Sequence, residues 1–347
     1  MCLIGTRIAI DLGTTKVIAF VEHKGIVLSE PSAIAFDSET NEPVAVGKKA
    51  YEMLGKTPDS IYVIKPLANG TVSSFSACEQ MLTTFINRIC QNKIFKPNVI
   101  VCMPSSVTNL EQRTILDVVT AAGAASACLI EEPLAAAVGA GLSTVEPNGK
   151  MVIDIGGGTT DIAVITMGNV AISSSVKGAG NALTESIIRH LKKDRDIVVG
   201  FRTAEMLKTT LGCAIDREAE LALIAKGKSN LDGMPITFEV TSGEIKDAIM
   251  EQLYALCEEI HSILEGTPPE LVGDISETGI TLTGGGALLY GIDKFFEEEI
   301  GIRTTVADDP VNCVIKGTGA ALEKMEILLN NGYRFISRED ILGTTMD

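Results

Sequence analysis

Apolar residues recur along the chain with two different periods, and their alternation predicts a mixed α/β protein. Short apolar runs that end at glycine or proline, such as NVIVCM at 98–103, predict buried strands. Segments such as 76–91 and 242–264 carry apolar residues three and four positions apart, which predicts amphipathic helices. Strands and helices therefore follow one another from the first residues to the last.

Two stretches share one pattern of strand, carboxylate, glycine-containing turn and strand. The first is RIAIDLGTTKVIAFV at 7–21, with Asp11 at its turn, and the second is MVIDIGGGTTDIAVIT at 151–166, with Asp154. Each predicts a β-hairpin whose tip brings backbone N–H groups against phosphate, while the carboxylate holds a hydrated divalent cation. An ordinary tight turn explains either stretch alone. Their repetition favours two similar subdomains that face each other across a cleft.

Three further features carry candidate chemistry. Gly284, Gly285 and Gly286 join an apolar strand to a helix start, which suits phosphate or a flat base. The pair Glu131–Glu132 lies at a strand-to-helix junction, where a catalytic carboxylate or merely a favourable helix charge is expected. Glu205 and Lys208 share one helix face, and an exposed ion pair explains them equally well.

Composition limits the partners and the cellular compartment that are expected for this protein. The 347 residues carry a net charge of −16, which disfavours nucleic acid as a partner. The eight cysteines form no CxxC pair, so we expect structural thiols in a reducing compartment. No signal peptide and no long apolar run is visible, which predicts a cytoplasmic protein.

One loop is unusually apolar for its position. In the segment NKIFKP at 92–97, Ile94 and Phe95 lie between Lys93 and Lys96, just before a proline. The segment predicts a small membrane-insertion loop, in which the apolar pair enters the interface and the lysines meet anionic headgroups. A loop that buries its apolar pair in the core is the alternative.

Longer strings resemble a known family. They are IEEPLAAAVGAGL at 130–142, VIDIGGGTTDIAVI at 152–165, FRTAEMLK at 201–208, TPPELVGDI at 267–275 and GITLTGGGALLYGID at 279–293. Together they resemble the bacterial actins of the MreB and Mbl type, within the superfamily of actins, sugar kinases and heat-shock chaperone ATPases. The resemblance runs in order from about residue 5 to about residue 330.

The resemblance implies an α/β actin-like ATPase fold, with two domains whose duplicated five-stranded mixed sheets surround a nucleotide cleft. Domain I would span 1–147 together with 316–347, with a small subdomain at about 34–72. Domain II would span 148–315, with a small subdomain at about 183–242.

The resemblance also implies ATP and Mg²⁺ as cofactors and gives roles to individual residues. The phosphates would be held by Thr14, Thr15, Lys16, Gly157, Gly158 and Thr159. The adenosine would be flanked by Glu205 and Lys208 and packed against Gly284, Gly285, Gly286, Ala287 and Leu288. Asp11 and Asp154 would organise Mg²⁺ through its waters, and Glu132 would be the general base, with Thr159 and Asp154 completing the catalytic set.

The function implied is a slow ATPase that polymerises on the inner face of the cytoplasmic membrane and directs cell-wall synthesis and cell shape. Its partners would be further copies of itself, the membrane, through Ile94 and Phe95, and the cell-wall elongation machinery. Thr15–Lys16 and Asp161 depart from the family pattern, which has Ala-Asn and glutamate there, so a divergent paralogue is expected. An FtsA-like membrane adaptor and a small-molecule kinase on the same fold remain alternatives. Against the adaptor, residues 335–347 lack a basic amphipathic helix.

Overall fold

The computed structural model describes residues 5–90, 95–330 and 333–343, in which strands alternate with helices. The strands are β1 (Arg7–Leu12), β2 (Lys16–Val21), β3 (Gly25–Pro31), β4 (Ile34–Asp37), β5 (Pro43–Val46), β6 (Ile61–Ile64), β7 (Leu67–Ala68), β8 (Thr71–Val72), β9 (Asn98–Met103), β10 (Ser126–Glu131), β11 (Lys150–Ile155), β12 (Thr159–Thr166), β13 (Asn169–Lys177), β14 (Ile197–Val198), β15 (Ala222–Ser229), β16 (Pro235–Thr241), β17 (Ile280–Thr283), β18 (Thr304–Val306) and β19 (Ile336–Ser337). The helices are α1 (Lys48–Met53), α2 (Phe75–Ile89), α3 (Asn109–Ala121), α4 (Glu132–Gly139), α5 (Ala179–Arg195), α6 (Phe201–Leu211), α7 (Ser242–Gly266), α8 (Pro269–Thr278), α9 (Ile292–Ile300), α10 (Cys313–Glu323), α11 (Met325–Asn330) and α12 (Arg338–Gly343). None of these described helices is both long and apolar enough to cross a lipid bilayer.

The two largest sheets repeat one topology, as the paired hairpins predict. The first has the strand order β19-β10-β9-β1-β2-β3, in which β1, β9 and β10 run parallel and β1, β2 and β3 form an antiparallel meander. The second has the order β13-β12-β11-β17-β18, with β11, β17 and β18 parallel and β11, β12 and β13 antiparallel. Each strand of the second sheet thus has a counterpart in the first.

The prediction of five strands in each large sheet is wrong for the first sheet. A sixth strand, β19, pairs antiparallel with β10 at the sheet edge. Because β19 contains only two residues, it is too short to show a periodic apolar pattern. Two small three-stranded sheets, β5-β4-β6 and β14-β15-β16, accompany the large ones. The domain boundaries given above stay a prediction.

The hydrophobic core has separate parts behind and between the large sheets. One cluster lies behind each sheet, and a third joins Ile100 and Ile130 of the first sheet to Val152 and Ala163 of the second. Helices α4 and α10 complete this third cluster, where their backbones nearly touch. A Cβ on Gly317 of α10 would lie 1.8 Å from a backbone oxygen of α4, so the two helices pack closely only with glycine there.

Candidate functional site

A cavity of about 390 Å³ lies between the halves of the molecule that carry the two large sheets. The expected site residues that line it are Asp11, Thr14, Thr15, Lys16, Glu132, Asp154, Gly157, Gly158, Thr159, Glu205, Lys208, Gly284, Gly285, Gly286 and Leu288. Ala287 does not line the cavity, because its side chain turns into the core behind the second sheet and is 3% exposed. The contact between Ala287 and an adenosine that the family resemblance implies therefore does not fit its position.

The tips of the two hairpins meet in this cavity. A Cβ on Gly157 would lie 1.8 Å from the Thr15 hydroxyl, and one on Gly158 would lie 2.3 Å from the Thr14 hydroxyl. Only glycine allows the second tip to approach the first so closely. The two turns can therefore present backbone N–H groups to one polyphosphate, which is the arrangement used for anions in glycine-rich turns.

The second tip is also tied to the start of α5. The Gly180 N–H donates to the Gly156 carbonyl at 3.1 Å, and the Asn181 N–H donates to the Gly157 carbonyl at 2.8 Å. These bonds bring the positive end of the helix dipole to the cavity, where it favours an anion. Asn181 itself lines the cavity, although no motif in the sequence indicates a ligand there.

Four carboxyl groups lie at or next to the meeting point of the hairpins. Asp154 and Asp161 stand opposite each other in the β11–β12 pairing and are 3% and 0% exposed. Burial raises the pKa of Asp154 to about 7, although Asp154 Oδ1 accepts a hydrogen bond from the Thr283 hydroxyl at 2.7 Å. Burial likewise raises the pKa of Asp11 and of Asp161 to about 6.

Glu132 is the most strongly perturbed member of this cluster. Burial first, and then the neighbouring carboxylates of Asp161, Asp154 and Asp11, raise the pKa of Glu132 well above its usual range. The interaction between the Glu132 and Asp154 carboxyl groups raises the pKa of Glu132 and lowers that of Asp154, against the larger effect of burial on Asp154. Its neighbour Glu131 does not line the cavity, which distinguishes the two glutamates.

The carboxyl groups at the cavity suit a cation that keeps its water shell better than one that is bound directly by the protein. Within 5–90, 95–330 and 333–343, no three side chains of the His, Cys, Asp and Glu types converge on one metal position. Asp11 and Asp154 nevertheless line one cavity. Mg²⁺ typically keeps several waters and binds through one or two carboxylates together with substrate phosphates. These two residues therefore fit a cation held through its water shell.

Glu205 and Lys208 form an ion pair that also connects two helices. The Lys208 ammonium lies 2.7 Å from Glu205 Oε2 and donates to the Gly180 carbonyl at 2.7 Å. It also donates to the Thr184 hydroxyl at 3.0 Å, and that hydroxyl donates to Glu205 Oε2 at 2.6 Å. The pair is thus more than an exposed surface contact, because it joins α6 to the start of α5 at the cavity wall.

A group of side chains, here called the clasp, joins two segments that are distant in sequence. Tyr51, Glu52 and Lys65 form one side of it, and Phe201 and Arg202 form the other. The Lys65 ammonium lies 4.3 Å from the centroid of the Phe201 ring. Arg202 donates to the Glu52 carbonyl at 3.0 Å, and its guanidinium lies 5.6 Å from the centroid of the Tyr51 ring. Since Phe201 and Arg202 begin α6, the clasp is built on the helix that carries Glu205 and Lys208.

A second contact joins the halves of the molecule that carry the two large sheets. The Ser105 N–H, from the loop after β9, donates to Asp161 Oδ1 at 3.2 Å. Asp161 Oδ2 and the Ser175 hydroxyl are buried without a hydrogen bond of ordinary geometry. The hydroxyls of Ser175 and Thr159 are still close enough to lower the pKa of Asp161 against the larger effect of burial. Asp161 therefore belongs to the carboxyl cluster and also connects the two halves of the molecule.

The structure describes only part of the apolar loop. Ile94 and Lys93 lie outside the described residues. Phe95 is described and 56% of its surface is exposed, so its ring does not lie in the core. The neighbouring Lys96 is exposed as well.

Some residues at the cavity carried no usable sequence signal. Asn181 and Arg217 line it but belong to no motif that indicates ligand binding. Asp161 appeared in the sequence only as a change from the family pattern. The positions of Asn181 and Arg217 depend on contacts between distant segments, which neither periodicity nor spacing reveals.

Comparisons with known proteins agree with this architecture. The family model described as "MreB/Mbl protein" matches residues 5–330. The cell shape-determining protein Mbl of Bacillus cereus is 41% identical over 328 residues, which cover 94% of this chain and 98% of that protein. The cell shape-determining protein MreB of Escherichia coli is 41% identical over 326 residues, covering 92% and 94% respectively.

Solved structures agree with the actin-like fold expected from the sequence. A crystal structure of MreB 5 of Spiroplasma citri bound to AMPPNP superimposes with a TM-score of 0.90, at 36% identity, and covers 94% of this chain and 99% of that one. The MamK double helical filament superimposes with a TM-score of 0.78 at 18% identity, covering 91% and 99%, which shows the shared fold alone. By its family match and by its relatives of about 40% identity, the chain belongs to the MreB/Mbl family.

Proposed function

We propose that this protein is an ATP-binding bacterial actin that forms filaments and hydrolyses ATP slowly. The observation that carries the proposal is the meeting of two matched hairpin tips in one cavity, beside a cluster of carboxyl groups whose pKa values are raised. Relatives in the same family are named for determining cell shape, and the MreB 5 of Spiroplasma citri has been solved with AMPPNP and with ADP. These names and titles support the proposal.

The hairpin tips would hold the phosphates. Backbone N–H groups around Gly157 and Gly158, the α5 N-terminus and the exposed Lys16 ammonium offer positive charge to them. The Thr14, Thr15 and Thr159 hydroxyls would complete this environment. Glu205 and Lys208 would flank the adenosine, and Gly284, Gly285, Gly286 and Leu288 would pack against it.

Mg²⁺ would be held by Asp11 and Asp154 through its waters. Bound there, the ion would neutralise charge on the phosphates during transfer to water. It would also change the protonation of its surroundings, because a nearby positive charge favours ionised carboxylates. The carboxyl groups whose pKa values burial raises would then ionise.

Glu132 would act as the general base for hydrolysis. A base must be ionised to accept a proton, and burial together with the neighbouring carboxylates raises the pKa of Glu132 and so favours its protonated form. A cationic ligand in the cavity would favour the ionised form, which ties the activation of Glu132 to nucleotide binding. The Thr159 hydroxyl would help to orient the attacking water. Hydrolysis would therefore follow binding and serve as a slow clock for filament turnover.

The protein would be organised as two domains, 1–147 with 316–347 and 148–315, with small subdomains at about 34–72 and about 183–242. The clasp and the contact between Ser105 and Asp161 would hold these domains closed around the nucleotide. Closure of this kind would fix one shape of the protomer and allow identical copies to stack in a filament.

The filament would lie on the inner face of the cytoplasmic membrane and work with the cell-wall elongation machinery. The exposed ring of Phe95 supports a contact with the membrane, together with Ile94, which follows from the sequence alone. One such loop buries too little apolar area to anchor a monomer. Repetition along a filament multiplies weak contacts, so binding to vesicles should require assembly.

Sedimentation and electron microscopy of the purified protein test this function. We expect filaments with ATP and Mg²⁺, and none without nucleotide. Anionic vesicles should sediment with the filaments, and the double variant Ile94→Ser/Phe95→Ser should assemble without binding vesicles. A protein that stays monomeric and consumes ATP only when a small acceptor is added would contradict the proposal and favour a kinase.

A further inference from the structure

Arg217 stands at the cavity in a position that long-range backbone contacts determine. A β-bridge joins Cys213, just after α6, to Tyr290, just after the glycine turn, and the Ala214 N–H donates to the Tyr290 carbonyl at 2.8 Å. A Cβ on Gly291 would lie 2.3 Å from the Ile215 side chain, so the two segments are in close contact. Arg217 follows this junction and lines the cavity.

The guanidinium of Arg217 is held on two sides. One terminal nitrogen donates to the Gly212 carbonyl at 3.1 Å. Its central carbon lies 4.3 Å from the centroid of the Tyr290 ring, which is the geometry of a cation–π contact. A side chain with these two contacts keeps a fixed plane, so its remaining N–H groups have defined directions.

The charge of this guanidinium has no carboxylate partner. Among the described residues, no Asp or Glu forms a salt bridge with Arg217, whereas Lys208 in the same wall is neutralised by Glu205. Arg217 acts on the nearby Cys213 thiol, where it opposes the rise in pKa that burial causes. Arg217 Nε is enclosed by the protein and makes no hydrogen bond, so a ligand in the cavity meets the terminal nitrogens instead. A hydrogen bond from a charged donor is stronger than one between neutral groups, so the site gains if a ligand supplies an acceptor to a terminal nitrogen.

The surroundings of Arg217 indicate which part of a ligand this is. Gly212, Leu288 and Leu289 also line the cavity, and these apolar groups suit a flat ring better than a phosphate. Phosphate-binding features, by contrast, are concentrated at the hairpin tips and at Lys16. The ring nitrogens of a purine are hydrogen-bond acceptors, whereas a guanidinium carries donors only.

We infer that Arg217 recognises the base of the bound nucleotide by donating a hydrogen bond to a purine ring nitrogen. This inference rests on the proposed function, because it names a specificity residue of the same nucleotide site. In this arrangement Arg217 is the polar neighbour of the exposed apolar side chain of Leu288, and its hydrogen bond fixes the orientation of the base.

Calorimetric titration of wild type, Arg217→Ala and Arg217→Lys tests the inference, with ATP and with inorganic tripolyphosphate, each with Mg²⁺. Loss of one charge-assisted bond should raise the Kd for ATP about tenfold or more in Arg217→Ala. The Kd for tripolyphosphate should stay within about twofold, because that ligand has no base. Arg217→Lys keeps the charge but not the planar donor group, so it should recover only part of the affinity.

Analogues of ATP that lack one ring nitrogen identify the acceptor. One of 1-deaza-, 3-deaza- and 7-deaza-ATP should bind wild type more weakly than ATP does. That analogue should bind Arg217→Ala with the same Kd as wild type, because the hydrogen bond is already lost. The matched control is Arg189→Ala, which removes an exposed arginine of α5 that does not line the cavity and should leave every Kd unchanged.

The outcomes separate this inference from the proposed function. If wild type binds no ATP, both fail. If wild type binds ATP and Arg217→Ala binds it equally well, or loses ATP and tripolyphosphate alike, only the role of Arg217 in base recognition is overturned. If Arg217→Ala does not fold, the measurements on wild type and Arg217→Lys test the inference instead. The inference is then overturned if wild type binds ATP and all three deaza analogues with the same Kd.

Discussion

Replacing Asp161 with asparagine is expected to stabilise the nucleotide-free protein at pH 8. Burial raises the pKa of Asp161 from its ordinary value of 3.8 to about 6, so the folded protein holds this proton more tightly than the unfolded chain does. The stabilisation from the proton is complete below pH 3.8 and is lost as the pH rises through 6. Asparagine cannot ionise and keeps an acceptor for the Ser105 N–H, so it avoids this loss.

The size of the effect follows from the pKa difference. Each unit of difference between the folded and unfolded pKa values is equivalent to about 1.4 kcal/mol of unfolding free energy. The variant should therefore be more stable than wild type by about 3 kcal/mol at pH 8. Its amide can also donate to the buried Ser175 hydroxyl, which makes no hydrogen bond of ordinary geometry in the wild type. Below pH 6 the difference should narrow, because the wild-type carboxyl then regains its proton.

Urea unfolding followed by circular dichroism, in EDTA and without nucleotide at pH 8 and pH 5.5, measures this change. The matched control is Asp247→Asn on the exposed face of α7, for which no change in the free energy of unfolding is expected. An Asp161→Asn variant that unfolds at pH 8 at the same urea concentration as wild type, or a lower one, would refute the reasoning.

Three further predictions concern the cavity wall, the clasp and the apolar loop. Lys208→Ala should raise the Kd for ATP at least tenfold and lower the melting temperature, because the bond to the Gly180 carbonyl that joins α5 and α6 is lost. Arg202→Ala removes a cation–π contact and a hydrogen bond from the clasp, so a fluorescent ATP analogue should dissociate about fivefold to tenfold faster in stopped flow. An unchanged rate would exclude a role for the clasp in closure. Phe95→Ser should reduce sedimentation of filaments with anionic vesicles and leave the melting temperature unchanged, whereas Leu231→Ser, which removes a side chain that is 80% exposed elsewhere, should leave vesicle binding intact.

Much of the site could be predicted because its motifs are local. The turn residues of each hairpin, its flanking apolar runs and its carboxylate lie within a few positions, so Asp11, Asp154, Gly157 and Gly158 were identified from one stretch each. The three-residue spacing of a pair on one helix likewise predicted that Glu205 and its partner share a face, and the ion pair is formed.

Other features depended on segments that are distant in sequence. Nothing near Arg217 indicates a ligand, since its place is determined by the bridge between Cys213 and Tyr290. The clasp is similar, because its aromatic and basic side chains come from two segments that are distant in sequence and no spacing relates them. Strand β19 was missed because two residues carry no period. The sequence also does not show that, in the 3₁₀ turn Gly285–Leu288, Leu288 lines the cavity whereas Ala287 is buried in the core.

We propose that the carboxyl cluster at the cavity, through Glu132, times the disassembly of an ATP-dependent filament. Phosphate release and light scattering, recorded together from one sample with ATP and Mg²⁺, test it most directly in wild type and Glu132→Gln. We predict that both proteins assemble, that wild type releases phosphate and then loses scattering, and that Glu132→Gln releases phosphate about 10²-fold to 10⁴-fold more slowly and stays assembled. Phosphate release at the wild-type rate by Glu132→Gln, or steady hydrolysis by wild type without any rise in scattering, would contradict the account.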